Sequence, residues 1–378
     1  MKKRKIKKIR GQKLIFLIVI FLLLALGIFN FNNLVYFYQS KITGYDVGTI
    51  ATFHELDVYD KIKKYKYSNT LEKVINDNNS FNNEYLLDYL NINYHDSDDF
   101  LIDINSLLSL GYDYNDINLI YDSLSLDNID LVLNNYYYDD LFNILMLDYF
   151  DEDNLLRYYD YNKKKELNYK DIVTYVNIGL DNEYYTNVNK ISNQDDILVL
   201  VNKYNALSSD YVPNDLEKIS SKFGINVNNK LRHDARVAFE EMCEAALRDN
   251  IKIYSGSAYR SYNYQADLYN QYVAENGKKN ADTFSARAGY SEHQTGLAVD
   301  ILNANFVYVS STDKEYKWLL DNSYKYGFIL RYPLNKEKVT GYKYEEWHFR
   351  YLGKELAEKL YKEDITYDEY VIRYLKNS

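Results

Sequence analysis

The sequence predicts a C-terminal α+β domain with a mainly antiparallel sheet, an all-α region of short helices before it, and an N-terminal transmembrane helix. Three observations carry this expectation. A basic segment runs straight into sixteen consecutive apolar or small residues, Leu14 to Phe29. Short apolar stretches at helical spacing then alternate with polar breaks up to about Asn205. From about Asp195, helix-like and strand-like patterns interleave, as they do in α+β domains.

Residues 1–13 hold eight Lys and Arg and no acid. The 378-residue chain has 45 basic and 55 acidic side chains and a net charge of −10, so the remainder stands at 37 against 55, or −18. A body this acidic is repelled by phosphate, which argues against nucleic acid as a partner. A helix over Leu14 to Phe31 would be about 27 Å long at ~1.5 Å per residue. That nearly spans a hydrocarbon core of roughly 30 Å, with the basic tail left in the cytoplasm. A cleaved signal peptide shares this charge and hydropathy pattern, but no small-x-small cleavage site follows Phe29. The expectation is therefore a cytoplasmic tail at 1–13, a single-pass membrane anchor at 14–38, and an extracytoplasmic body. Cys243 is the single cysteine, so no disulfide forms within the chain. It shares a helical stripe with Phe239, Met242 and Ala246 and reads as a buried core thiol.

Residues 39–194 read as a spacer or protein-interaction region of short helices. Leu107–Gly111, Ile117–Leu124, Ile129–Leu133, Leu141–Phe150 and Leu155–Tyr161 each fit two or three turns. Asp116, Asp127, Asp151 and Asp153 stand where N-caps belong. His54 and His95 have no partner motif and read as ordinary histidines. The Asp-rich runs lack the spacing of a calcium loop.

Residues 195–378 carry the compact domain. Leu231 to Leu247 is amphipathic, with Leu231, Ala235, Phe239, Met242 and Ala246 on one face. Ile251 to Tyr254 alternates like a strand. Ser261 caps a helix running to about Glu275 and ended by Gly277. Leu297 to Ile301 reads as a strand with Leu297, Val299 and Ile301 on one face and Gly296, Ala298 and Asp300 on the other. Thr312-x-x-Glu315 reads as a capping box opening a helix that closes near Gly327. Phe328–Arg331 and Trp347–Tyr351 read as further strands, and Leu356–Tyr361 as a helix.

The chemistry lies in two stretches of this domain. His293 and Asp300 stand seven residues apart, and Glu345-Glu-Trp-His348 adds a histidine with a carboxylate three residues before it. Hydrolytic zinc sites use three protein ligands and keep a position for water. Two neutral imidazoles and one carboxylate leave a net positive charge of about one, which depresses the pKa of bound water. Glu345 is the candidate base and Glu346 its competitor. Strict strand alternation would put Glu345 opposite His348, so a turn or bulge must intervene for it to serve. Arg260 offers a forked cation suited to a carboxylate.

Ser291-x-His293-x-x-Gly296-x-Ala298-x-Asp300 followed by Glu345-x-Trp-His348 resembles the metallopeptidase family of VanY-like D-alanyl-D-alanine carboxypeptidases. The resemblance extends through Ser257-x-Tyr-Arg260-Ser-x-x-x-Gln265, Phe284 to His293, Gly341-Tyr-x-Tyr-Glu and Trp347-His-Phe-Arg-Tyr, and covers about residues 195–362. It implies zinc on His293, Asp300 and His348, with Glu345 as general base. It implies that Arg260, Gln265 and Ser291 grip the terminal carboxylate of a peptidoglycan stem peptide. The small α+β fold and removal of a C-terminal D-alanine are implied too. L,D-carboxypeptidase activity on tetrapeptide stems and a non-catalytic wall-binding scaffold are the alternatives. The family often has Pro where Glu346 stands, and residues 1–194 lie outside the resemblance.

Overall fold

The computed structural model describes residues 31–77, 79–135, 140–163, 167–225 and 229–375. The basic tail at 1–13 and most of the predicted anchor fall outside these residues. Residues 31–43 are helical, and among the described residues no helix is long and apolar enough to cross a membrane. The chain divides into two compact units, Met1–Leu145 and Met146–Ser378.

The first unit is helical, as its apolar spacing predicts. Its helices are short and locally capped. Tyr114–Ser123 opens with a capping box from Asp113 and Asp116, one turn earlier than a cap at Asp116. Asp116 is thus the third residue of the helix, and its carboxylate accepts from the backbone N of the cap, Asp113. Leu126–Asn134 starts after Ser125, not after Asp127. Ile104, Leu107, Ile117, Ile120, Ile129 and Val132 are buried.

The second unit includes the helices Leu155–Asn162 and Tyr169–Ile178, which precede residue 195. Its centre is a four-stranded antiparallel sheet of β1 (Tyr254–Ser257), β2 (Ala298–Leu302), β3 (Phe328–Leu330) and β4 (His348–Tyr351), in the order β1-β2-β4-β3. The main helices are α1 (His233–Arg248), α2 (Tyr262–Asn276), α3 (Lys314–Asn322) and α4 (Lys354–Glu363). One sheet face is apolar. Leu297, Val299, Ile301, Phe328 and Phe349 pack with Phe239, Met242, Cys243 and Ala246 of α1. The period of two then sends Ala298 and Asp300 to the opposite face.

Two local expectations shift. β1 begins at Tyr254, so Ile251 and Ile253 lead into the strand as buried core residues. No capping box forms at Thr312. Asp313 precedes α3, and its carboxylate instead accepts from Ser310 N and Asn303 Nδ2. The N-cap position falls on Asp313, whose carboxylate is taken up by the preceding loop and makes no capping bond.

Candidate metal centre

Strand register sets the metal pair. Asp300 on β2 and His348 at the start of β4 are direct cross-strand partners, so their side chains rise from the same sheet face. His348 Nδ1 is 3.1 Å from Asp300 Oδ1. His293 comes from the one-turn 3₁₀ helix Glu292–Thr295 just before β2, and its Nε2 is 3.3 Å from Asp300 Oδ2. One ligand atom from each of the three lies within 4.8 Å of the others, and all three residues are buried.

Gly296 makes this juxtaposition possible. It ends the 3₁₀ turn at φ +68°, and a Cβ there would stand 2.8 Å from Leu216 Cδ2 and 3.1 Å from Arg232 Cγ. A side chain at that position would be strained and would collide.

Each imidazole is oriented through its second nitrogen. His293 Nδ1 is 2.7 Å from the Ala258 carbonyl oxygen. A carbonyl only accepts, so Nδ1 holds the proton and Nε2 keeps its lone pair. Burial pushes His293 down to about 4, so it is neutral at pH 7. His348 Nε2 faces Glu292 Oε2 at 3.3 Å, which leaves Nδ1 as its ligand atom. Burial lowers the His348 pKa, but hydrogen bonds to Asp300 and Glu292 outweigh it and push it up to about 9. Metal entry must therefore displace a proton from His348. Burial raises Asp300, yet His293 and Arg260 hold its carboxyl well below the usual range.

The turn demanded by Glu345 is present. Glu346 and Trp347 form it, and β4 starts only at His348. His348 N donates to Glu345 O at 3.4 Å. Glu345 Oε2 comes to 3.9 Å from His348 Nδ1. Glu345 lines the cavity in front of the three ligands, whereas Glu346 is absent from its wall. Burial pushes Glu345 up to about 7, a suitable range for a proton carrier at neutral pH.

The cavity measures about 300 Å³, and Arg260, Gln265, Ser291, Tyr308 and Trp347 also line it. Arg260 donates through Nη2 to Asp300 and through Nε to Ser257 Oγ at 2.9 Å. Gln265 donates through Nε2 to the Ala286 carbonyl at 2.7 Å, so its free atom is an acceptor. That atom, Oε1, is buried with no partner among the described residues. The second Nε2 proton has Ser285 Oγ at 3.5 Å, so Oε1 is the atom of this side chain left open to a substrate.

Sequence reading did not single out Glu292. It is buried, and its Oε1 accepts from Arg331 Nε at 2.7 Å and Arg350 Nη1 at 3.0 Å. Burial raises it, but these guanidiniums hold it far below the carboxylate range. Arg350 pairs with Ala298 across β2 and β4, one period beyond His348, and the small Ala298 leaves it room. Alternation along Trp347–Tyr351 predicts that Arg350 shares the His348 face. That is the one sequence signal that pointed here.

Two imidazoles and a carboxylate, each with an outer partner, in front of a cavity with a buried carboxylate, fit a zinc ion with one open position. Fold and site define a zinc-dependent hydrolase. The VanY D-alanyl-D-alanine carboxypeptidase family model matches residues 228–354, and YodJ of Bacillus subtilis (strain 168) is 38% identical over 214 residues, 51% of this chain and 75% of that protein. The chain belongs to the VanY D-alanyl-D-alanine carboxypeptidase family. The solved structure of the LdcB LD-carboxypeptidase is 37% identical with a TM-score of 0.47, covering 50% of this chain and 92% of that one. A VanY D,D-pentapeptidase variant in complex with Zn(II) is 34% identical with a TM-score of 0.41, covering 46% and 98%.

Proposed function

We propose that the chain is a zinc-dependent carboxypeptidase that removes the C-terminal D-alanine from peptidoglycan stem peptides. The supporting observation is that Glu345 and the His293, Asp300 and His348 set line one cavity. Zinc held there supplies a Lewis acid and lowers the pKa of water. Glu345 takes the proton of the attacking water and delivers it to the leaving amine. Arg260, steadied by Asp300 and Ser257, presents Nη1 to the terminal carboxylate. Ser291 Oγ donates to the same group. Gln265 accepts a substrate N–H through Oε1, since its two Nε2 protons face the Ala286 carbonyl and Ser285 Oγ. The demand for a free carboxylate makes the enzyme an exopeptidase.

The basic start and apolar run at Leu14 to Phe29 support a membrane-anchored form with the catalytic unit outside the cytoplasm. The helices before residue 195 serve in this reading as a spacer or a partner surface. Product analysis on synthetic stems tests the substrate. D-alanine released from a pentapeptide ending in D-Ala-D-Ala is expected. Release from a tetrapeptide alone would transfer the reading to L,D-cleavage. Full extraction of the native chain from membranes by salt would sink the anchor.

A further inference from the structure

The structure carries a buried ion network that reaches from the metal centre to the C-terminal end of the chain. Behind Glu292, Arg331 Nη1 donates to Asp368 Oδ2 at 2.5 Å. Asp368 Oδ1 accepts from Asn202 Nδ2 at 2.8 Å. Arg350 Nη2 donates to the Ile197 and Val199 carbonyls, both at 2.9 Å. The Arg331, Arg350 and Glu292 side chains are fully buried, and that of Asp368 is 1% exposed.

We infer that Asp368 is a positioning residue for the metal ligand His348, acting through Arg331 and Glu292. The inference rests on the zinc reading above. Two guanidiniums and two carboxylates balance with their side chains almost wholly buried, where an unpaired charge is costly. Glu292 divides its oxygens, Oε1 to the arginines and Oε2 to His348 Nε2. Its aim at the imidazole therefore depends on where the arginines stand. Arg331 follows β3 and has one carboxylate on each side, Glu292 and Asp368. Removing the Asp368 charge leaves two cations on Glu292 alone and draws its carboxylate away from His348. The weakened hydrogen bond then leaves the ring less fixed as a ligand.

Asp368 and Asn202 lie outside the matched residues 228–354. Asp368 is placed by its own local device, the short helix Tyr367–Tyr370, opened by a capping box between Thr366 and Glu369. Ile197, Val199 and Asn202 come from the segment that leads into the domain. The support of the metal centre thus extends to both flanks of the family-matched region.

The test uses the full chain and Asp368→Asn, which keeps shape and removes charge. Zinc affinity is measured by chelator competition, and the visible spectrum of the Co(II)-substituted protein reports ligand geometry. A tenfold or greater loss of zinc affinity is expected, with a shifted Co(II) band. Asp122→Asn, removal of an exposed charge in the first unit, is the control and leaves both readouts as in the parent. Should Asp368→Asn not fold, Asp368→Glu is read in its place, with at least a threefold loss expected. An affinity within twofold of the parent and an unshifted Co(II) band in the folded variant would overturn the inference. A parent chain that binds no zinc would instead overturn the zinc reading itself.

Discussion

Glu345 sits 3.9 Å from the ligand atom of His348, and burial holds it near neutral pKa. Glu345→Gln keeps the shape and removes the proton carrier. Zinc content should stay at the parent level while kcat falls ~10²–10⁴-fold, the range that general acid–base catalysis contributes. Near-normal kcat in a zinc-loaded Gln variant would remove Glu345 from the base role. Gln265 allows a separate test, because its Nε2 protons face Ser285 and Ala286 and its Oε1 has no partner among the described residues. Gln265→Ala should slow cleavage of a D-Ala-D-Ala amide more than cleavage of the matching D-Ala-D-lactate ester, which lacks the N–H. Equal losses on both would return Gln265 to the carboxylate.

At the scale of elements, the site hangs on a turn and a register. Gly296 joins the His293 turn to β2 at φ +68°. Gly296→Ala should cost about 1–3 kcal/mol of stability and weaken zinc binding, as measured by chemical denaturation and metal titration. An unchanged stability would mean that Leu216 and Arg232 yield to the added methyl without cost. The ligands were legible in sequence because His293, Asp300 and His348 stand in short local motifs. Glu345 was legible with its condition attached, and the turn at Glu346 and Trp347 supplies that condition. Glu292 was not legible. Its role arises only when β3 and β4 bring Arg331 and Arg350 together around it, and each of these reads in sequence as an ordinary strand cation. The misplaced cap at Thr312 has a similar origin, since Asp313 is spent on Ser310 and Asn303 in the loop before the helix. Helix existence followed from periodicity, whereas helix starts depended on which of several neighbouring Asp, Asn and Ser residues took the cap.

For the whole molecule, one buried cation gives stability a pH dependence. Lys203 is 1% exposed. Its Nζ donates to the Asp282 and Gly341 carbonyls and lies 4.0 Å from the Tyr184 ring centroid. Burial pushes it down to about 8 from 10.5. Between these values the unfolded chain binds the proton that the folded chain has given up, so this group makes stability rise with pH. Relative to Lys203→Met, the parent should gain up to about 1.4 kcal/mol per pH unit above pH 8. Unfolding free energies between pH 7.5 and 9.5 measure this, and parallel profiles would contradict it. Zinc-dependent release of D-alanine is a property of the intact enzyme. The zinc-loaded chain is incubated with a stem pentapeptide ending in D-Ala-D-Ala, with and without a chelator, and free D-alanine is quantified. D-alanine is expected at one equivalent per peptide, lost on chelation and restored by added zinc. A folded chain with stoichiometric zinc that releases no D-alanine from pentapeptide or tetrapeptide would contradict a carboxypeptidase.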